Sequence, residues 1–156
     1  MILEPGIIAG GQTGVDRAAM DFAIANNIPL KGWCPKGCIA EDGVIDKKYK
    51  LTEIPQTEPK FRTIKNIAEA DAVLAFIIDY PDKGTIFAIE YTKKNKKPFY
   101  MVFLKMKMQN QIKDVIRFLD NYSVRWINII GPRESNSKGI YSETYLFLSE
   151  LWHKIN

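Results

Sequence analysis

Histidine and cysteine are scarce in this chain. His153 is the one histidine among 156 residues, and Cys34 and Cys38 are the two cysteines. So few ligands cannot assemble the usual four-coordinate zinc site, and no metal centre is expected. The Cys-x-x-x-Cys spacing is not the thioredoxin spacing. Two buried or loop thiols in a reducing compartment are expected, with a redox pair as the alternative. No apolar run reaches membrane-spanning length. The opening Met1-Ile2-Leu3-Glu4-Pro5 lacks the basic and long apolar regions of a secretory leader, so a cytoplasmic protein with no membrane partner is expected. No Gly-Lys-Ser/Thr follows a glycine-rich turn, which excludes a Walker loop, and the full dinucleotide fingerprint is missing too. The net charge of +4 suits an acidic ligand but is too mild to indicate nucleic-acid binding. Lys93, Lys94, Lys96 and Lys97 fall at the predicted end of a helix, where cations complement the helix dipole.

What is present fits one ordinary globular domain spanning 1–156, with 46% hydrophobic and 26% charged residues. Five apolar runs read as strands, around Gly6 to Ala9, Leu30 to Trp33, Ala72 to Ile78, Pro98 to Leu104 and Val124 to Ile130. Helical periodicity separates most of them. It is carried by Val15, Ala18, Ala19, Phe22 and Ala23, then by Ile112, Val115, Ile116 and Leu119, and finally by Tyr141, Tyr145, Leu148 and Trp152. Weaker helices are predicted from about Arg62 to Glu69 and from Thr85 to Lys94. Alternating strands and helices imply a Rossmann-like three-layer α/β/α domain, with a mainly parallel sheet of about five or more strands. The segment from Cys34 to Phe61 is the longest irregular stretch.

The stretch Ala9-Gly10-Gly11-Gln12-Thr13-Gly14-Val15-Asp16-Arg17 runs from a buried strand into a helix. Thr13 and Asp16 have the spacing of a capping box. Glycines let backbone N–H groups approach a ligand and the helix dipole favours negative charge, so the turn reads as a phosphate-binding loop. A tight structural turn is the alternative. Gly10, Gly11 and Gly14 would offer amides, Gln12 and Thr13 side-chain donors, and Asp16 a carboxylate for a ribose hydroxyl or ring nitrogen. Other polar loops follow the predicted strands on the same edge of the sheet, where ligands of open parallel sheets bind. Lys36 in its Pro-Lys-Gly turn would meet phosphate as a point charge, or is a solvated lysine. Arg62, Thr63 and Asn66 cluster donors at a helix start, and Arg62 would fork onto a phosphate. Gly84 and Thr85 open another helix, and Arg133 and Ser135 suit a second anion contact, with Glu134 holding Arg133. Glu41 and Asp42 read as a turn or as a base, Trp33 as core or as a stacking platform, and His153 has no catalytic role.

These loops resemble those of the putative molybdenum carrier family, the circularly permuted YpsA-type branch of the SLOG superfamily. Its Ser-Gly-Gly-Gln-Thr-Gly-Val-Asp-Arg is met by Ala9 through Arg17, with Ala9 departing. Gly-Trp-Cys-Pro-Lys-Gly is Gly32 to Gly37, and Ala-Glu-Asp-Gly-Val-Ile is Ala40 to Ile45. The family often carries two arginines where this chain has Cys38 and Ile39. Arg62, Thr63 and Asn66 match its Arg-Thr-x-x-Asn. Gly84-Thr85 matches its Gly-Thr, preceded by Lys83 where a second glycine is common, and Gly131 to Ser135 matches Gly-Pro-Arg-Glu-Ser.

The resemblance implies a Rossmann-like domain that binds a phosphate-bearing, nucleotide-derived ligand or molybdenum cofactor, as carrier or nucleotide sensor. One alternative is a nucleoside monophosphate N-glycosidase similar to the lonely-guy enzymes, whose Gly-Thr-x-x-Glu carboxylate supports departure of the base. Here Ala88 holds that position and Glu90 falls on another face of the helix. Single-stranded nucleic-acid binding ranks last, because the lysine tract lies at the wrong end of its helix. The expected partners are a small anionic ligand, nucleotide or pterin phosphate, and further copies of the chain in a dimer or tetramer.

Overall fold

The structure is a computed structural model that describes residues 4–156, so the first three residues of the opening segment lie outside the described residues. Strands β1 (Gly6–Ile8), β2 (Leu30–Lys31), β3 (Ala72–Ile77), β4 (Phe99–Phe103) and β5 (Trp126–Ile130) form one sheet in the order β2-β1-β5-β3-β4. Every pairing is parallel. The last strand in sequence is therefore the central one, with Asn128 placed opposite both Ile8 of β1 and Val73 of β3. β3 is buried along its whole length, as a strand covered on both faces must be.

Five helices complete three layers: α1 (Val15–Ala25), α2 (Pro59–Glu69), α3 (Lys83–Lys94), α4 (Met108–Asn121) and α5 (Ile140–Ile155). α1, α4 and α5 pack on one face in the larger core, where Phe22 meets Tyr145 and Trp152 edge-on at 5.6 and 5.4 Å. α2 and α3 cover the other face around Ile67, Val73, Ala75, Ala88, Ile89 and Ile130. The Rossmann-like architecture expected from the sequence is thus the observed one. α2 starts earlier than its periodicity predicts because Pro59 takes the first turn, where its missing N–H has no helical partner to lose.

Three local expectations are corrected. The predicted strand from Leu30 to Trp33 breaks at Gly32, where a Cβ would lie 1.9 Å from the Ala9 carbonyl oxygen. Beyond it the irregular stretch holds two small sheets. Trp33–Cys34 pairs in parallel with Thr52–Glu53, and Ile39–Ala40 pairs antiparallel with Gly43–Val44. Cys34 and Cys38 are joined as a disulfide rather than standing as two thiols. The turn closed by the Cys38 N–H on the Pro35 carbonyl, with Gly37 and Cys38 both at positive φ, brings their Cα atoms to 5.2 Å. The capping box does not form either. The cap of α1 is Gly14, at φ 75°, which has no side-chain acceptor, while the Thr13 hydroxyl accepts from the Glu134 N–H and the Asp16 carboxylate from the Gln12 N–H.

Candidate functional site

At the centre of the sheet the chain changes direction. β1 leads into α1 on one face and β3 leads into α3 on the other, with β5 between them. Such a switch point leaves a crevice at the carboxyl ends of the strands. A cavity of about 150 Å³ opens there, walled by the loops after β1, β3 and β5 and by the first turns of α2 and α3.

Of the residues singled out in the sequence, Gly10, Gln12, Asp16, Arg62, Thr63, Asn66, Gly84, Thr85 and Arg133 line it. Gly11, Thr13, Gly14, Lys36 and Ser135 lie outside the lining. Gly11 faces away from it, since a Cβ there would sit 2.6 Å from Ile45 Cδ1. Lys36 is exposed on the turn beyond Cys34, with its backbone N–H on the Gln56 carbonyl. Gly14 serves close packing. At φ 75° its Cβ would fall 2.4 Å from the Pro132 carbonyl oxygen, and the neighbouring Val15 N–H donates to that same oxygen at 3.3 Å.

The glycine turn is less open than its composition predicts. The Gln12 N–H donates to the Asp16 carboxylate at 3.1 Å, and the Thr13 N–H donates to Gln12 Oε1 at 3.0 Å. An acidic group of the chain itself thus sits where the turn would receive an anion. Asp16 is 8% exposed, and burial raises its carboxyl to about 6 against the pull of Arg62 and the Gln12 N–H. Arg62 reaches across from α2 to donate to the Gly10 carbonyl and, through Nε, to Thr63 at 3.3 Å. Burial lowers its pKa from the usual value, with Arg133 acting in the same sense.

Several predicted donors are committed to the fold. Asn66 clamps the backbone of Trp33, accepting its N–H at 2.8 Å and donating to its carbonyl at 3.1 Å. The Thr85 hydroxyl donates to Asp82 at 2.7 Å, completing the cap of α3. Ser135 donates through its hydroxyl to Glu41 at 2.5 Å. Glu41 also accepts from the Thr13 hydroxyl, and these hydrogen bonds, Ser135's foremost, hold its carboxyl below the usual range. Trp33 stands outside the lining, with Lys65 Nζ 4.3 Å above its ring, and Asp42 is paired with Arg17 at 2.7 Å.

Asp82 and Asn128 are among the lining residues that the sequence did not single out. Asp82 joins the loops after β3 and β5. It accepts from the Thr85 N–H at 2.9 Å, from Asn136 Nδ2 at 2.9 Å and from the Arg133 N–H at 3.4 Å. Burial works to raise its carboxyl, yet those hydrogen bonds hold it below the usual range. Its Asp-x-x-Thr spacing is the readable signal of a helix cap. Asn128 is 1% exposed on the central strand and lines the cavity, and its Nδ2 has no hydrogen-bond partner among the described residues. A single amide inside the run Trp-Ile-Asn-Ile-Ile is the signal that could have marked it, since a buried polar group needs a partner.

Among the described residues no group of three or more His, Cys, Asp or Glu could hold a metal ion, and no helix is long and apolar enough to cross a membrane.

A parallel sheet with a cavity at its switch point and helices on both faces defines a Rossmann-like α/β domain. Within that class the chain belongs to the circularly permutated YpsA SLOG family, whose profile matches residues 7–152. It is similar to the crystal structure of a putative molybdenum carrier protein from Syntrophus aciditrophicus SB. The two share 32% identity over 96% of each chain, with a TM-score of 0.93. No curated protein matches the chain.

Proposed function

We propose that the cavity binds a small phosphate-bearing ligand, a nucleotide derivative or molybdenum cofactor, and that the protein acts as its carrier or sensor. The observation that carries this reading is Asn128, buried with its Nδ2 unpartnered among the described residues, on a cavity whose lining also includes Arg62 and Arg133. Arg133 makes one long ion contact, 3.9 Å to Glu41, which leaves its fork able to meet a phosphate. The pterin and phosphate parts of molybdenum cofactor fit this donor set. Both cysteines lie in the disulfide outside the cavity, so the metal would gain no thiolate from the protein. The name of the Syntrophus relative supports the carrier reading.

The N-glycosidase alternative has one favourable observation, a cavity carboxyl at Asp16 raised to about 6, as an acid–base group requires. Against it, Ala88 lines the cavity one helical turn from Thr85, and Glu90 is exposed and outside the lining. Glu41 and Asp42, the other carboxylates weighed for that role, are engaged with Ser135, Thr13 and Arg17. Mass spectrometry of small molecules released from gently purified protein tests the main reading. A nucleotide or pterin phosphate in near-stoichiometric amount is expected. No bound compound, together with no thermal stabilisation by any nucleoside monophosphate or pterin, overturns it.

A further inference from the structure

The cavity presents different chemistry at different depths. Asn128 is 1% exposed and Asp16 8%, whereas the side chain of Arg133 is 41% exposed and Gly84, at the start of α3, is open to solvent. We propose that the ligand enters ring first: the edge of a flat nitrogen heterocycle lies against Asn128 and Asp16, and its phosphate stays outside at the Arg133 side chain. This rests on the reading of the cavity as a site for a phosphate-bearing ligand and adds the class of group held in its depth.

Three observations set the orientation. First, the inner groups are a donor and an acceptor. Asn128 Nδ2 has hydrogens to give, and the Asp16 carboxylate, with one oxygen on the Gln12 N–H, has lone pairs to fill. A phosphate offers acceptors alone and cannot satisfy both. Purine and pterin edges carry an N–H or amino donor beside a ring nitrogen or carbonyl acceptor, and match the pair. Second, a phosphate driven inward to the glycine turn would meet the Asp16 carboxylate on the Gln12 N–H, and the Thr13 N–H is already taken by Gln12 Oε1. Third, the walls beside Asn128 include Ile130, Ala88 and the ring of Phe87, apolar surfaces suited to the faces of a heterocycle.

Calorimetric titration of the full chain with guanosine, adenosine, their 5′-monophosphates, ribose 5-phosphate and free pterin separates the two ends of the site. Asn128→Leu is expected to weaken the nucleoside and the monophosphate roughly tenfold while leaving ribose 5-phosphate unchanged. Arg133→Ala is expected to do the reverse, weakening ribose 5-phosphate and the monophosphates by a similar factor and sparing the nucleosides. Should Asn128→Leu fail to fold, Asp16→Asn carries the same inner test. The inference is overturned if either inner variant weakens ribose 5-phosphate as much as the monophosphates, or leaves the monophosphates unchanged. Tighter binding of pterin than of either nucleoside assigns the ring to the pterin class, and the opposite order assigns it to a nucleobase. If ribose 5-phosphate binds as tightly as every ring-bearing probe, the inference falls and the phosphate reading stands. Binding of nucleosides or pterin with no gain from phosphate removes the phosphate reading and, with it, the outer half of the inference, and overturns the orientation proposed. Binding of none removes both.

Discussion

Replacing Asp16 by Asn should make the protein more stable at neutral pH, although it alters the middle of the candidate site. The folded chain holds the Asp16 proton up to about 6, whereas the unfolded chain releases it near the ordinary aspartate value of 3.8. Between those values the folded state binds the extra proton, so stability from this group is full at low pH and falls as pH rises toward about 6. Above that it is constant. The shift corresponds to a loss of about 3 kcal/mol at neutral pH. Arg62, Arg17 and Asp82 are the charged groups that face it, and burial outweighs them. Asparagine keeps an oxygen for the Gln12 N–H and carries no charge. The stability difference between the variant and the parent should widen in the variant's favour by about 2 to 3 kcal/mol from near pH 4 to pH 7. For a chain of this size that is roughly 5 to 10 °C in Tm. Denaturant titrations across that range measure it directly, and the difference cancels the opposite trend from Asp82, Asp42 and Glu41, whose carboxyls are held low. A difference that stays flat with pH, or a variant less stable than its parent at pH 7, would refute the buried-charge argument.

Two further outcomes test other parts of the structure. Gly14→Ala places a Cβ 2.4 Å from the Pro132 carbonyl at a residue with φ 75°, and should cost roughly 2 kcal/mol or more in chemical denaturation; a loss below about 0.5 kcal/mol would mean that the loops after β1 and β5 do not meet as described. In the absence of reductant, neither Cys34 nor Cys38 should react with an alkylating reagent, and both should react after reduction and unfolding; rapid labelling of the native, unreduced protein would show that the two sulfurs are unpaired.

The layers of the fold were legible because burial on both faces leaves a plain trace. Ala72–Ile77 reads as a continuous apolar run, and the helices show their packed stripes at regular spacing. The gathering of Gly10, Arg62, Thr85 and Arg133 along one edge was legible too, since alternation of strands and helices forces their loops together. The state of individual polar groups was not. Sequence shows that Asn66 and Thr85 carry donors, but only geometry shows that Trp33 and Asp82 occupy them. The capping box at Thr13 failed for a long-range reason: the Glu134 N–H, in the loop after β5, takes the hydroxyl oxygen as its acceptor. Asn128 was hidden by its company of isoleucines. The two-residue strands between Cys34 and Phe61 are too short to show any period.

The strand at the middle of the sheet is the last of its five strands in sequence. Without Trp126–Ile130, β1 and β3 have no common neighbour, and the sheet is left as two separate halves, β2-β1 and β3-β4. Asn128 and Arg133 belong to that central strand and the turn beyond it, so the floor of the pocket is supplied by the strand that joins the two halves of the sheet.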